Sequence, residues 1–495
     1  MYSKLQNGLA ELRVEIPYLE ADTALLKLAR HSDYHFLLES KQVSLFSGRF
    51  SLLGIDPAFR IKGKADHFSI TALNKRGNAY LSTIKKADLS LCEDLKITSS
   101  SISGTVRGDL GPVEETQRSK KKNIAQVIRI ILNTFAVKGK TFLGLYGGFS
   151  YDFIRLFEDL HDSLPENDID DFTLLFCDTF VLFDHIKHKT EAISYRKDKS
   201  SCESAVRLVK KQLKEKPPRP PRYKIQNAKY ALGKKEFEHM VKIAKKYICD
   251  GELFQVVFSN ILKAQFSGSP IGLYLKYRGK NPSPYMYYFE FGDEQIVGTS
   301  PEMMVRYEDG QVHLRPIAGT ARRDIDPIQD HENLLHLLTD PKERAELDML
   351  VDLGRNDLSR ICKPGITVSD YRFVEKYSRV MHTVAHLSGR LRKGYTALDA
   401  LIACVNAGTL TGAPKVAAMQ TIEKQEKERR GYYGGSVGYL TCGGEMDTAI
   451  VIRTAHIRDG RLRYQTGAGL VYDSVPEKEH QETMNKAQAF LETFS

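Results

Sequence analysis

Glu482 and Lys486 lie four residues apart in a segment opened by Pro476. On a helix they share one face, where a cation and an anion can be held side by side. Just upstream, Gly467-Ala468-Gly469 follows the alternating run Arg461–Gln465 and is expected to interrupt that strand. Glycines at such a point let backbone N–H groups approach a carboxylate or phosphate with no Cβ in the way. The same residues also fit a bulged strand followed by a solvated helix with an ion pair, so the local pattern leaves both readings open.

Further candidates are spread through the second half of the chain. Arg453 stands in the run Asp447–Ile457, expected as one strand, beside Ile450, Val451 and Ile452. A guanidinium among apolar neighbours requires a fixed anionic partner, internal or a substrate, because an unpaired buried charge is too costly. Asp340 and Pro341 open a helix predicted over 340–362, on which Leu347, Leu350, Val351 and Leu358 form an apolar stripe. Glu346 lies just off that stripe and points either to water or into a cleft. His382 and His386 share a strand face in Val380–Leu387, but no third ligand has suitable spacing and HExxH is missing. Asn406–Lys415, NAGTLTGAPK, is a Gly-rich turn before a helix, an anion cradle without P-loop spacing.

The elements that must position these groups follow from periodicity and breakers. A helix is predicted near Thr23–Ala29, then a strand His35–Leu38 that runs into Glu39 and Ser40. An acid and a hydroxyl at a strand tip either meet a ligand's amine or serve as a helix cap or turn. Residues 99–123 read as a loop, 124–135 as a helix, 141–151 as a buried strand, and Phe172–Phe183 as one further strand. The run KEKPPRPPR, 214–222, enforces extended backbone and marks the clearest boundary. It divides the chain into a region 1–215, a linker 216–225 and a motif-dense region 226–495.

Composition bounds the classes. The chain has 495 residues, 42% hydrophobic and 27% charged, as expected of a globular protein with a large core. The net charge of +10 suits a small anionic substrate, and the scattered basic residues carry no nucleic-acid-binding motif. Seven cysteines without a CxxC pair argue for reduced thiols, against zinc, and for a cytoplasmic setting. No apolar run reaches membrane-spanning length. No Ser-His-Asp elbow, dinucleotide fingerprint or catalytic-cysteine signature is present. Carboxylates on helices with anion-friendly turns suggest oxygen-ligated Mg²⁺ and a small polycarboxylate substrate.

The segments SPE (300–302), RPIAGT (315–320), AELDMLVDLGRNDLSRIC (345–362), VMHTV (380–384), NAGTLTGAPK, GYYGGSVGY (431–439), DTAIVIRTA (447–455), YQTGAGLVYDSVP and ETMNKA (482–487) closely resemble the chorismate-utilising enzymes. They cover most of residues 234–490 in order. The LLES run ending in Glu39-Ser40, with Pro284-Tyr285-Met286, is similar to the tryptophan-regulated anthranilate synthase branch of that family. Isochorismate and salicylate synthases carry a Lys base where this chain has Gln255, and many aminodeoxychorismate synthases a Lys where it has Ala318. Both differences favour ammonia as nucleophile and loss of pyruvate to give anthranilate.

The resemblance implies an α+β fold, two antiparallel β-sheets forming a central sandwich with helices outside, to which the N-terminal half also contributes strands. It implies Mg²⁺ held by Glu346 and Glu482, largely through water. It implies Tyr433, Arg453 and the N–H groups of Gly467, Ala468 and Gly469 on the enolpyruvyl carboxylate, and Gly319, Thr320 and Thr409 beside the ring. Glu302 is the expected general acid, and His382 assists the second step. Glu39, Ser40, Pro284, Tyr285 and Met286 are the expected tryptophan pocket, and a glutamine amidotransferase subunit the expected ammonia donor. An aminodeoxychorismate or aminodeoxyisochorismate synthase is the nearest alternative. A non-enzymatic tryptophan-sensing or nucleic-acid-binding protein is a distant one.

Overall fold

Long apolar runs in this chain bend at a single polar residue and continue in a different sheet. Phe172–Phe183, expected as one strand, is two: Phe172–Cys177 lies in one sheet and Thr179–Asp184 in the other. Between them Asp178 is wholly buried, ion-paired to Arg196 at 2.8 Å and to Arg76 at 3.3 Å. A periodicity of two cannot reveal such a corner, because each half keeps the pattern of a strand.

The computed structural model describes residues 1–40, 49–85, 87–108, 111, 113–376 and 380–494. Within them are two sheets of 13 strands each, every pairing antiparallel. The sheets face one another, with Phe36 of one stacked on Tyr146 of the other at 4.4 Å, so the expected sandwich with outer helices is what forms. Strands from both sides of the Pro-rich run share each sheet. His35–Glu39 pairs with Tyr285–Glu290, and Gly144–Phe149 pairs with Ser436–Thr441. Residues 99–123, expected as a loop, include the strand Ser101–Thr105, paired to His67–Ala72.

Two helices carry the acidic residues of the cleft. Pro341–Ser359 is capped by Asp340, whose side chain accepts from the Lys342 N–H at 2.8 Å. Pro476–Leu491 packs on the strand Arg461–Leu470 and buries Thr483, Ala487 and Phe490. Phe490 stacks on Tyr464 at 4.0 Å. All seven cysteines are unpaired, and no described helix is long and apolar enough to cross a membrane.

Candidate active site

Glu302 follows the strand Glu294–Ser300 and is only 8% exposed. Its carbonyl accepts from the Ile450 N–H at 3.0 Å, which pins the backbone. Thr409 donates its hydroxyl to Glu302 Oε1 at 3.0 Å. A narrow cavity of about 50 Å³ beside the carboxyl is walled by Leu314, Leu350, Leu353 and Ile450. Burial in these surroundings pushes the Glu302 pKa up to about 8, against smaller opposing effects of the Thr409 hydrogen bond, Arg453 and Lys486. At neutral pH this carboxyl is a proton donor, the state a general acid requires.

Arg453 is not in mid-strand, contrary to the sequence expectation. The run splits into Met446–Ile450 and Thr454–Arg458, which belong to different sheets, and Arg453 occupies the corner with φ 51°. Its carbonyl accepts from the Thr299 N–H at 3.2 Å. Among the described residues no carboxylate lies within ion-pair distance of its guanidinium. The guanidinium is half-buried and could receive a ligand's anion.

The glycines at 467 and 469 do not interrupt their strand either. Arg461–Leu470 is continuous, with Gly467, Ala468 and Gly469 in register with Ser259, Phe258 and Val257. A Cβ on Gly467 would stand 2.8 Å from the Tyr433 hydroxyl, and one on Gly469 would stand 2.7 Å from the Gln255 amide nitrogen. Glycine is needed here for close approach rather than for a turn. On its other edge the strand pairs with Thr454–Arg458 only as far as Tyr464. Beyond that residue, alternate backbone N–H groups have no strand partner among the described residues and are available to an anion.

Tyr433 is fixed by a buried pair that local pattern missed. Arg430 and Glu426 lie 2.7 Å apart with side chains 1% and 4% exposed. Arg430 also donates to the carbonyls of Val257 and Leu410, and its guanidinium faces the Tyr433 ring at 5.5 Å. The spacing of four was legible, but in a stretch as charged as KQEKERR it reads as a solvated helix face.

His382 places Nδ1 2.9 Å from the Gly319 carbonyl and 3.0 Å from the Thr320 hydroxyl. Donation to the carbonyl sets the tautomer that leaves the lone pair on Nε2. Burial, with Arg453 nearby, lowers its pKa, so the ring is neutral and able to take a proton. His386 turns to His313, at 3.0 Å, and takes no part in this group.

Glu346, from the helix Pro341–Ser359, and Glu482, from Pro476–Leu491, face one another across the cleft closely enough to interact electrostatically. Burial raises the Glu346 pKa and Glu482 adds to it, while Lys342, Lys486 and a hydrogen bond from Gln255 oppose the rise. Glu343 and Glu479 are raised in the same way. Lys486 bridges Glu482 at 2.6 Å and the Gly467 carbonyl at 3.0 Å. Glu343 Oε2 and Gln255 Oε1 are buried without a hydrogen-bond partner among the described residues. Repelling carboxylates and unsatisfied oxygens with no sulfur or imidazole make a donor set suited to a hard cation. No three His, Cys, Asp or Glu side chains converge among the described residues, so Glu346 and Glu482 are the carboxylates that could hold such an ion.

Glu39 and Met286 are directly opposed in neighbouring strands. The Glu39 carboxylate is buried and already engaged by Arg278 at 2.9 Å and Tyr274 at 2.5 Å. The Ser40 hydroxyl is buried and has no partner among the described residues. Pro284 leads into this strand, and the Tyr285 hydroxyl donates to Asp447 at 3.2 Å. Residues 41–48, which follow the tip, lie outside the described residues.

Residues 94–492 match the family described as chorismate binding enzyme. The chain is 36% identical to anthranilate synthase component 1 of Vibrio cholerae over 97% of its length and 95% of that protein. It is 37% identical to the Escherichia coli protein of the same name, with 97% and 96% covered. The crystal structure of anthranilate synthase component I from Streptococcus pneumoniae superposes with a TM-score of 0.69 at 32% identity, covering 91% of this chain and 94% of that one. MenF, the menaquinone-specific isochorismate synthase from Escherichia coli, shares the fold with a TM-score of 0.70 at 18% identity, over 98% of this chain and 95% of that one.

Proposed function

This chain belongs to the family of chorismate binding enzymes, and we propose that it is the synthase subunit of an anthranilate synthase, a lyase that converts chorismate and ammonia to anthranilate, pyruvate and water. The observation that carries the reading is the buried Glu302 carboxyl, held by Thr409 on the side of the cleft near Arg453, where burial pushes its pKa up to about 8.

Arg453, Tyr433 and the open edge at Gly467–Gly469 would seat the enolpyruvyl carboxylate, whose charge satisfies the guanidinium left without a carboxylate. Glu346 and Glu482 would hold Mg²⁺, which when bound supplies positive charge opposite the ring carboxylate. Ammonia adds at C2 as the C4 hydroxyl departs, and Glu302 protonates that hydroxyl so that it leaves as water. Neutral His382 would accept the C2 proton in the second step. Cleavage of the C3–O bond then releases the side chain as pyruvate and aromatises the ring. With Gln255 in place of a Lys base, no side chain at that position activates water, which favours ammonia.

Ammonia would come from a glutamine amidotransferase partner, since the chain has no catalytic-cysteine signature. Tryptophan would bind at Glu39, Ser40 and Pro284–Met286, where the Ser40 hydroxyl lacks a partner among the described residues. Anthranilate fluorescence separates the parts of this proposal. The purified chain with chorismate and Mg²⁺ should respond to ammonium but not to glutamine until the partner is added, and tryptophan should suppress both rates. A glutamine-dependent rate from the chain alone would contradict the proposed division of labour.

A further inference from the structure

The strand Gln255–Gly268 backs the proposed carboxylate seat, with Val257, Phe258 and Ser259 in register with Gly469, Ala468 and Gly467. Its opposite edge is paired to Gly412–Ala413 as far as Val256 and to Tyr223–Tyr230 from Leu262 onward. Between these, residues 257–261 have no strand partner on that edge among the described residues, and buried backbone groups need one. Arg430 and Glu426 fill part of the gap. The Val257 carbonyl accepts from Arg430 at 2.7 Å, and the Ser259 N–H donates to Glu426 at 3.0 Å. The Ser259 hydroxyl also donates to Glu426, at 2.6 Å, and accepts from Gln465 of the neighbouring strand at 2.6 Å.

The same guanidinium reaches two further parts of the site. Its Nη1 donates to the Leu410 carbonyl at 2.6 Å, near the end of the four-residue helix Gly408–Thr411. A single turn does not hold itself, so this bond anchors the turn that presents Thr409 to Glu302. Its face lies against the ring of Tyr433, whose hydroxyl stands where a Cβ on Gly467 would crowd it. Two bonds to Glu426, at 2.7 and 2.9 Å, fix the plane of the guanidinium in which these contacts are made.

We propose that Arg430 is a positioning residue for the reaction, holding the carboxylate seat at Tyr433 and Gly467 and the acid pair Thr409–Glu302 in one frame. The inference rests on the roles proposed above for those groups. The test follows chorismate consumption with ammonium and Mg²⁺, so it reads the same whether or not the ring is aromatised. Arg430→Lys keeps a charge opposite Glu426 but lacks the planar fork that serves Glu426, Val257 and Leu410 together. Its kcat should fall by about 10- to 100-fold, and its KM for chorismate should rise by about tenfold. Arg155→Lys is the control, because Arg155 pairs with Asp152 and Glu423 and with none of the groups placed in the site. It should lower the melting temperature and leave KM unchanged, since unfolding removes active sites without altering those that remain. Ser259→Ala takes one hydrogen bond from Glu426 and leaves the ion pair intact, so it decides the matter if Arg430→Lys does not fold. Its KM should rise by about two- to fivefold. An unchanged KM in Ser259→Ala, or a lower kcat at unchanged KM in folded Arg430→Lys, would overturn the proposal. The functional reading fails on the wild-type product and this inference on the ratio of variant to wild-type constants, so the two failures are told apart.

Discussion

At the scale of single residues, the proposed first step turns on Glu302. Its carboxyl is neutral near pH 7 because it is buried, and the hydrogen bond it accepts from Thr409 favours the charged form without prevailing. Glu302→Gln keeps the shape and removes the proton, so kcat should fall by about 10²–10⁴-fold with KM little changed. Stability should move the other way. The folded-state pKa of about 8 lies above the ordinary 4.5, so the folded form holds the proton more tightly. The stability tied to the neutral carboxyl is complete below about pH 4.5 and is lost as pH rises through about 8. Thermal melts of Glu302→Gln should therefore match wild type in acid and exceed it at about pH 9, where wild type must carry a buried charge. Equal melting at both pH values, or undiminished turnover, would remove Glu302 from the role. None of this was legible locally: a Glu after Ser-Pro at a strand end has no special pattern, and its burial is tertiary.

At the scale of elements the corner at Arg453 links the strand tip at Glu39 to the proposed substrate site. Glu39 opposes Met286, Met286 opposes Thr299, and the Thr299 N–H donates to the Arg453 carbonyl. A ligand at the Glu39 tip that shifts these strands also shifts the corner that presents the guanidinium, a physical route for coupling two sites. Ser40→Ala removes the hydroxyl that lacks a partner among the described residues. It should raise the tryptophan needed for half-inhibition by about three- to tenfold and leave the uninhibited rate intact, as read from tryptophan titrations of anthranilate formation. An unchanged titration would place the inhibitor elsewhere. The two carboxylate helices were legible in the sequence, because Asp340-Pro341 and Pro476 mark where they open. The corners at Asp178 and Arg453 were not, because apolar residues on both sides of a bend continue one another's pattern without a Gly or Pro to mark it.

At the scale of the whole molecule the Pro-rich run was legible as a break in secondary structure, and no regular element occupies 216–222. What it separates could not be read from composition, since strand partners are long-range facts. Because His35–Glu39 is seated beside Tyr285–Glu290 and Gly144–Phe149 beside Ser436–Thr441, each half without the other exposes unpaired strand edges. A chain cleaved within 216–222 should remain one complex by gel filtration with an unaltered circular dichroism spectrum, while either fragment expressed alone should be unfolded or aggregated. Independent folding of 226–495 would contradict this.

The product that leaves the active site identifies the reaction. Purified chain incubated with chorismate, ammonium and Mg²⁺ and analysed by mass should give anthranilate and pyruvate in equal amounts, and chelation of the metal should suppress both. An amino-cyclohexadiene that retains its enolpyruvyl group, with no pyruvate released, would contradict the assignment and remove His382 from the second step.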